Sequence, residues 1–80
     1  MITAEQIRGA RGILKWSARE LAEKTGLSLP TIQRMERDGG IYGTLSRNVT
    51  AVQKALEEGG IEFIPENGGG VGVRLRKPRG

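Results

Sequence analysis

Gln33 and Arg34 stand side by side in a segment, Ser28 to Arg37, whose apolar members Ile32 and Met35 recur at helical spacing. A glutamine amide donates and accepts at once, and a guanidinium presents two parallel N–H donors. These are the side chains suited to bidentate hydrogen bonding with the edges of adenine and guanine. With Ile32 and Met35 on the buried side of a helix, Pro30, Thr31, Gln33, Arg34 and Arg37 project outward. An outward glutamine or arginine is ordinarily a solvated side chain; these two gain weight from the residues that precede them.

Ser17 followed by Glu20 is a capping box, in which each side chain satisfies the other residue's backbone N–H, so a helix begins at Ser17 with Trp16 and Leu21 placed as a hydrophobic staple. Gly26 closes that helix after Thr25, since it enters the left-handed conformation without a Cβ penalty. Ser28 is again a good N-cap, and Pro30 is harmless in a first turn that has no intrahelical N–H bonds to lose. Leu21, Ala22, Leu27, Ile32 and Met35 fall where two short helices must face each other or a supporting core. Two helices joined by a tight turn around a glycine fit the helix-turn-helix arrangement.

Trp16 to Arg37 resembles the helix-turn-helix of the lambda-repressor and Cro-like (XRE-type) family, most of whose members are bacterial and phage transcription regulators. The likeness rests on Arg19-Glu20-Leu21-Ala22, Gly26, Ser28, Ile32 and the pair Met35-Glu36, and with the first helix it spans roughly residues 3 to 58. It implies sequence-specific binding of double-stranded DNA, with helix 29–37 in the major groove, Gln33 and Arg34 on base edges, and Ser28, Pro30, Thr31 and Arg37 beside them. It also implies a partly buried ion pair between Arg11 and Glu36, tying the first helix to the third. Where the family often has a glutamine opening the second helix, this chain has Ala18, so Ser17 or Arg19 must take over the phosphate contact. Leu29 and Pro30 replace polar side chains of many relatives and offer apolar contact alone. In related proteins the loop after the reading helix lies near the sugar-phosphate backbone, which makes Arg47 and the amides around Gly43 and Thr44 expected phosphate contacts.

The remaining elements support this unit. Thr3 with Gln6 forms another capping box, Ile2 and Ile7 its staple, and Ile7, Ala10 and Leu14 face the core with Ile13 flanking. Gly9 and Gly12 oppose that helix by about 1 kcal/mol each relative to alanine; they either admit close packing or are merely tolerated. Trp16 reads as a structural plug. Asp38 to Arg47 has no sustained apolar period and reads as a loop; a helix capped by Asn48, or starting slightly earlier, then turns Val49, Val52, Ala55 and Leu56 inward and ends at Gly59-Gly60.

The plan then changes. Ile61 to Ile64 is short, apolar and β-branched, Val71 to Arg76 alternates with period two, and Asn67-Gly68 lies between them, which predicts a β-hairpin. A two-stranded hairpin alone is marginal in water, so it must pack on the helices, pair with a second copy through Val71, Val73 and Leu75, or both. Residues 1–72 hold nine basic and nine acidic side chains, so the net charge of +4 comes from Arg74, Arg76, Lys77 and Arg79. That basic patch suits DNA phosphates, an acidic partner, or protection of an edge strand.

The expected fold is therefore mainly α: a lambda-repressor-like bundle of about four helices (residues 3–58), a C-terminal β-hairpin (61–76) and a basic tail (77–80), in one domain over 1–80. Eighty residues bury about 60% of their unfolded surface, which makes a homodimer the expected state. Without cysteine or histidine there is no disulfide framework and no ordinary metal ligand set or acid–base catalyst, so neither an enzyme nor a metal or other cofactor is expected. No membrane span or secretion signal is visible, and the expected location is the cytoplasm, at the nucleoid. The resemblance leaves a second function open: an antitoxin that binds a toxin partner and its own operator.

Overall fold

Three hydroxyl side chains start the first three helices. In the computed structural model, which describes residues 1–76, Thr3, Ser17 and Ser28 accept through their side-chain oxygens from the backbone N–H three residues on, at 3.1, 3.0 and 3.3 Å. Gln6 and Glu20 return the favour to the cap residues at 2.9 and 3.0 Å, completing two capping boxes. The helices are α1 (Ala4–Leu14), α2 (Ala18–Thr25) and α3 (Leu29–Met35). Gly26 ends α2 in the left-handed region. Lys15 does the same after α1, where a Cβ makes that conformation more costly.

The chain then departs from expectation in three places. The reading helix stops at Met35, two residues early, because Glu36 and Arg37 enter a turn that doubles back on α3. That turn depends on Gly40: a Cβ there would lie 1.7 Å from the carbonyl oxygen of Arg34. The segment expected to be a loop contains a 3-10 turn, Gly40–Gly43, which buries Ile41. α4 (Ser46–Glu58) takes the earlier of the two expected starts, after Leu45 and with no side-chain cap, so Asn48 lies inside it and Arg47 belongs to its first turn rather than to the loop.

The core gathers Ile2, Ile7, Ala10, Leu21, Ala22, Ile32, Met35, Ile41, Val49, Val52, Leu56 and Ile61. Ile13, expected to flank it, is exposed on α1. Trp16 lies against Gly59 and Leu14 rather than out in solvent, as a plug at the end of α4. β1 (Ile61–Ile64) and β2 (Gly72–Leu75) form an antiparallel pair, with Ile61 opposite Leu75 and Phe63 opposite Val73. Val71 and Arg76, expected within the second strand, flank it.

The hairpin docks on the helices, β2 over α1 and β1 against α4. Gly9 admits this: a Cβ there would come within 3.2 Å of Val73 Cγ2, whereas Gly12 faces open space. Gln6, only 4% exposed, donates from Nε2 to the carbonyls of Ile64 (3.2 Å) and Gly72 (2.9 Å) while its Oε1 serves the α1 cap. One buried amide thus meets its hydrogen-bonding demand by tying two strands to a helix.

Candidate nucleic-acid interface

α3 is held from behind by two arginines of α1. Arg11 donates from Nε to Glu36 Oε2 at 2.7 Å and from Nη2 to Glu36 Oε1 at 2.9 Å, a bidentate pair whose side chains are 26% and 11% exposed. A third donor, Nη1, reaches the Trp16 carbonyl at 3.0 Å, so one guanidinium joins α1, the approach to α2 and the end of α3. The hydrogen bond to Glu36 raises the Arg11 pKa above its ordinary value, outweighing the burial that opposes it. Arg8, one turn earlier, donates to the Glu36 carbonyl and lies 3.5 Å from Asp38 Oδ1. These contacts explain why α3 ends where it does: its last turn is closed by side chains from α1.

With Ile32 and Met35 fully buried, the opposite side of α3 presents Pro30, Gln33 and Arg34 to solvent. Thr31 is half-buried, and its hydroxyl lies 2.9 Å from that of Ser28, so both belong to the cap network as well as to the surface. Ser17 is likewise engaged in its capping box. Arg37 is exposed just past the helix, Arg19 on the first turn of α2 and Arg47 on the first turn of α4.

The arginines fall into two groups. Arg8 and Arg11 on α1 and Arg74 and Arg76 of the hairpin all hydrogen-bond to protein acceptors: Arg74 pairs with Glu62 at 3.0 Å, and Arg76 donates to the Glu57 carbonyl at 3.0 Å. Among the described residues, Arg19, Arg34, Arg37 and Arg47 make no side-chain hydrogen bond or ion pair. The arginines without such a partner are thus those on α2, on α3 and its exit, and at the start of α4, while the hairpin's charge is partly neutralised. Lys77 and Arg79, the rest of the expected basic patch, lie outside the described residues.

Sequence reading missed Arg8, Gln6 as a hairpin anchor, and Tyr42, which is exposed on the 3-10 turn. Arg8 was signalled by its spacing from Arg11, which places both on one face of α1. The other two had no local signal. Among the described residues no helix is long and apolar enough to cross a membrane.

A search of curated proteins finds no match. A protein-family model described as helix-turn-helix matches residues 7–46, half of the chain, from within α1 through α2, α3 and the 3-10 turn to the first residue of α4. The hairpin lies outside the match. Two capped helices around Gly26, a reading helix braced by Arg11 and Arg8, and this family match together place the chain in the lambda-repressor and Cro-like (XRE-type) helix-turn-helix family of DNA-binding transcription regulators.

Proposed function

We propose that the chain is a sequence-specific repressor that binds a two-part DNA site as a homodimer, each copy laying α3 in the major groove. Gln33 and Arg34 read base edges, the first suited to adenine and the second to guanine. Pro30 offers apolar contact, Thr31 and Ser28 sit at the groove edge, and Arg19, Ser17, Arg37 and Arg47 take phosphates. Half-sites then lie about 34 Å apart, one turn of the duplex, and occupancy blocks polymerase. The observation that carries this reading is the partition of arginines: those around α3 have no hydrogen-bond or ion-pair partner among the described residues, as ligands for an external polyanion should be.

Selection of bound duplexes from a random pool tests it. A palindromic consensus is expected, and Gln33→Ala with Arg34→Ala should erase preference at the positions they read, by about 1–3 kcal/mol per bidentate contact. Failure to enrich any motif, or intact preference in the double variant, overturns the reading. The antitoxin alternative needs a surface apart from α3 for a second protein, and exposed Val71 and Leu75 of the hairpin favour it as an apolar landing site. A different chain co-purifying in fixed ratio would decide for it.

A further inference from the structure

The hairpin has two edges of unequal chemistry. Arg76 N–H donates to the Gly60 carbonyl at 2.8 Å, which fixes the phase of the ladder. Hydrogen-bonded pairs in an antiparallel ladder alternate, so with this register Glu62 and Arg74 point their backbone groups at each other, and Ile61, Phe63, Val73 and Leu75 point theirs outward. Continued one step, the outward row of β1 reaches Pro65, which has no N–H, and it begins at Ile61, which is buried against the helices. This edge is blunted. The outward row of β2 is Val71, Val73 and Leu75, each with its donor and acceptor. Outside the β1–β2 ladder, no hydrogen bond among the described residues uses their backbone. Val71 and Leu75 are also 42% and 53% exposed, apolar side chains at the two ends of the same strand.

We propose that the β2 edge pairs with the β2 edge of a second copy, antiparallel about a two-fold axis at Val73, to make a continuous four-stranded sheet. This rests on the homodimer reading above and names its interface. The register follows from symmetry and charge. Centring the axis on Arg74 would set two guanidinium groups directly opposite, and centring it on Gly72 would leave Leu75 facing Gly69. Centred on Val73, Val71 meets Leu75 of the second copy and Val73 meets its counterpart, so the outward backbone groups pair and the exposed apolar side chains cover one another. Arg74 then faces Gly72, which has no side chain to oppose it.

At each end, Arg76 is set opposite Gly70 of the second copy. The Gly70 N–H is already held by the Glu66 carboxylate at 2.9 Å, and the same oxygen accepts from Gly68 at 2.7 Å. That carboxylate lies on the β1 side of Gly70, and Arg76 is held by the Glu57 carbonyl of its own protomer, so this end of the register sets no like charges opposite one another. A second copy presents the same row of outward backbone groups and the same two exposed apolar side chains, and in this register it matches them by symmetry.

The chain has no cysteine, so single cysteines report the register. Residues facing their own counterparts in a hydrogen-bonded pair are about 5.5 Å apart at Cα, while positions one residue from the axis are separated by about 8 Å, beyond disulfide reach. Under mild oxidation Val73→Cys should link into a covalent dimer, and Gly72→Cys and Arg74→Cys should not. Leu75→Lys, at an exposed position, should weaken self-association about tenfold, since two copies of the pair are lost. Sedimentation of the unaltered chain should show a concentration-dependent dimer, and a monomer throughout the high micromolar range overturns the proposal whatever the variants do. Linkage at residue 72 or 74 in place of 73 overturns it, as does a dimer that links at none of them. A chain that links at residue 73 yet selects no duplex overturns the DNA reading and leaves this interface standing. A chain that selects a palindrome while Val73→Cys stays unlinked on the duplex overturns the interface alone.

Discussion

Removing the Arg11 side chain measures how firmly α3 is braced. The bond to Glu36 is bidentate at 2.7 and 2.9 Å, with the carboxylate only 11% exposed, so Arg11→Ala strands a mostly desolvated anion and also drops the bond to the Trp16 carbonyl. Breaking a fully buried pair costs about 3–5 kcal/mol, and breaking an exposed one about 0–1 kcal/mol. The 26% exposure of Arg11 places this pair between the two, and the charge-assisted geometry argues for about 2–3 kcal/mol. In a domain of this size each kcal/mol moves the melting temperature by about 4–8 °C. Glu36→Gln should cost less, because the amide oxygen still accepts from the guanidinium. Combining Arg11→Ala with Glu36→Gln removes both charges and should cost less than the two single losses summed, by about 1–2 kcal/mol. Urea denaturation of the parent, both singles and the double, with duplex affinity measured alongside, closes the cycle. Strict additivity, or an Arg11→Ala melt unchanged from the parent, would refute the claim that this pair holds the reading helix.

Gln6→Leu should lower stability by about 2–3 kcal/mol, since it removes the donor to two strand carbonyls and the return leg of the α1 cap; thermal melts check this, and a loss under 0.5 kcal/mol would show that the hairpin docks without the amide. Glu62, Glu66 and Glu20 should titrate below the ordinary carboxylate range, because Arg74 holds the first, the Gly70 and Gly68 amides the second, and the Ser17 backbone the third. Their folded values lie below the unfolded ones, so what they contribute is present above the ordinary value of 4.5 and is lost as pH falls through the depressed values. Carbon-detected NMR titration checks the three midpoints, and Glu66→Gln should shrink the acid-side loss at the Gly68 and Gly70 amides; midpoints at the ordinary value would contradict the geometry.

The parts of the fold legible from sequence are those decided within a few residues. Thr3, Ser17 and Ser28 reach backbone donors three positions on, so their caps are written locally, as are Gly26 and the turn at Asn67-Gly68. Buried Ile7, Ile32, Met35, Val52 and Leu56 follow from helical period alone. What sequence missed depends on distant partners. α3 ends at Met35 because Arg8 and Arg11, on another helix, draw Glu36 into a turn that only Gly40 can close. The start of α4 was left open between a cap at Asn48 and a slightly earlier start, and Ser46 takes the second, because Leu45 offers no side-chain cap that could have fixed it. Gln6 was legible as half of a capping box, yet its amide nitrogen serves residues 58 and 66 positions away. For the interface, the outward side chains of α3 were legible from the burial of Ile32 and Met35. The distinction between paired and unpaired arginines was not, since Glu62 meets Arg74 only once the strands pair in register and Glu57 meets Arg76 only once the hairpin docks on α4.

α1 links the two halves of this account. Arg8 and Arg11 project from one face to grip the end of α3, while Gln6 and Gly9 on another meet the hairpin. α3 and the proposed dimer strand are therefore fastened to a single 11-residue rod, and in the proposed dimer the distance between two copies of α3 is set by how the sheet sits on that rod. Loosening the rod's two faces should then have separable effects. Weakening the Arg11 brace alters how each copy reads its own half-site, because α3 tilts within one protomer. Weakening the Gln6 anchor leaves each half-site preference in place and relaxes the spacing at which two half-sites are bound together. A family of duplexes with half-site spacing varied by single base pairs separates the two: the Gln6→Leu chain should bind across a broader range of spacings than its parent, with the same consensus. Equal spacing preference in both would mean that the hairpin does not govern the geometry of the pair.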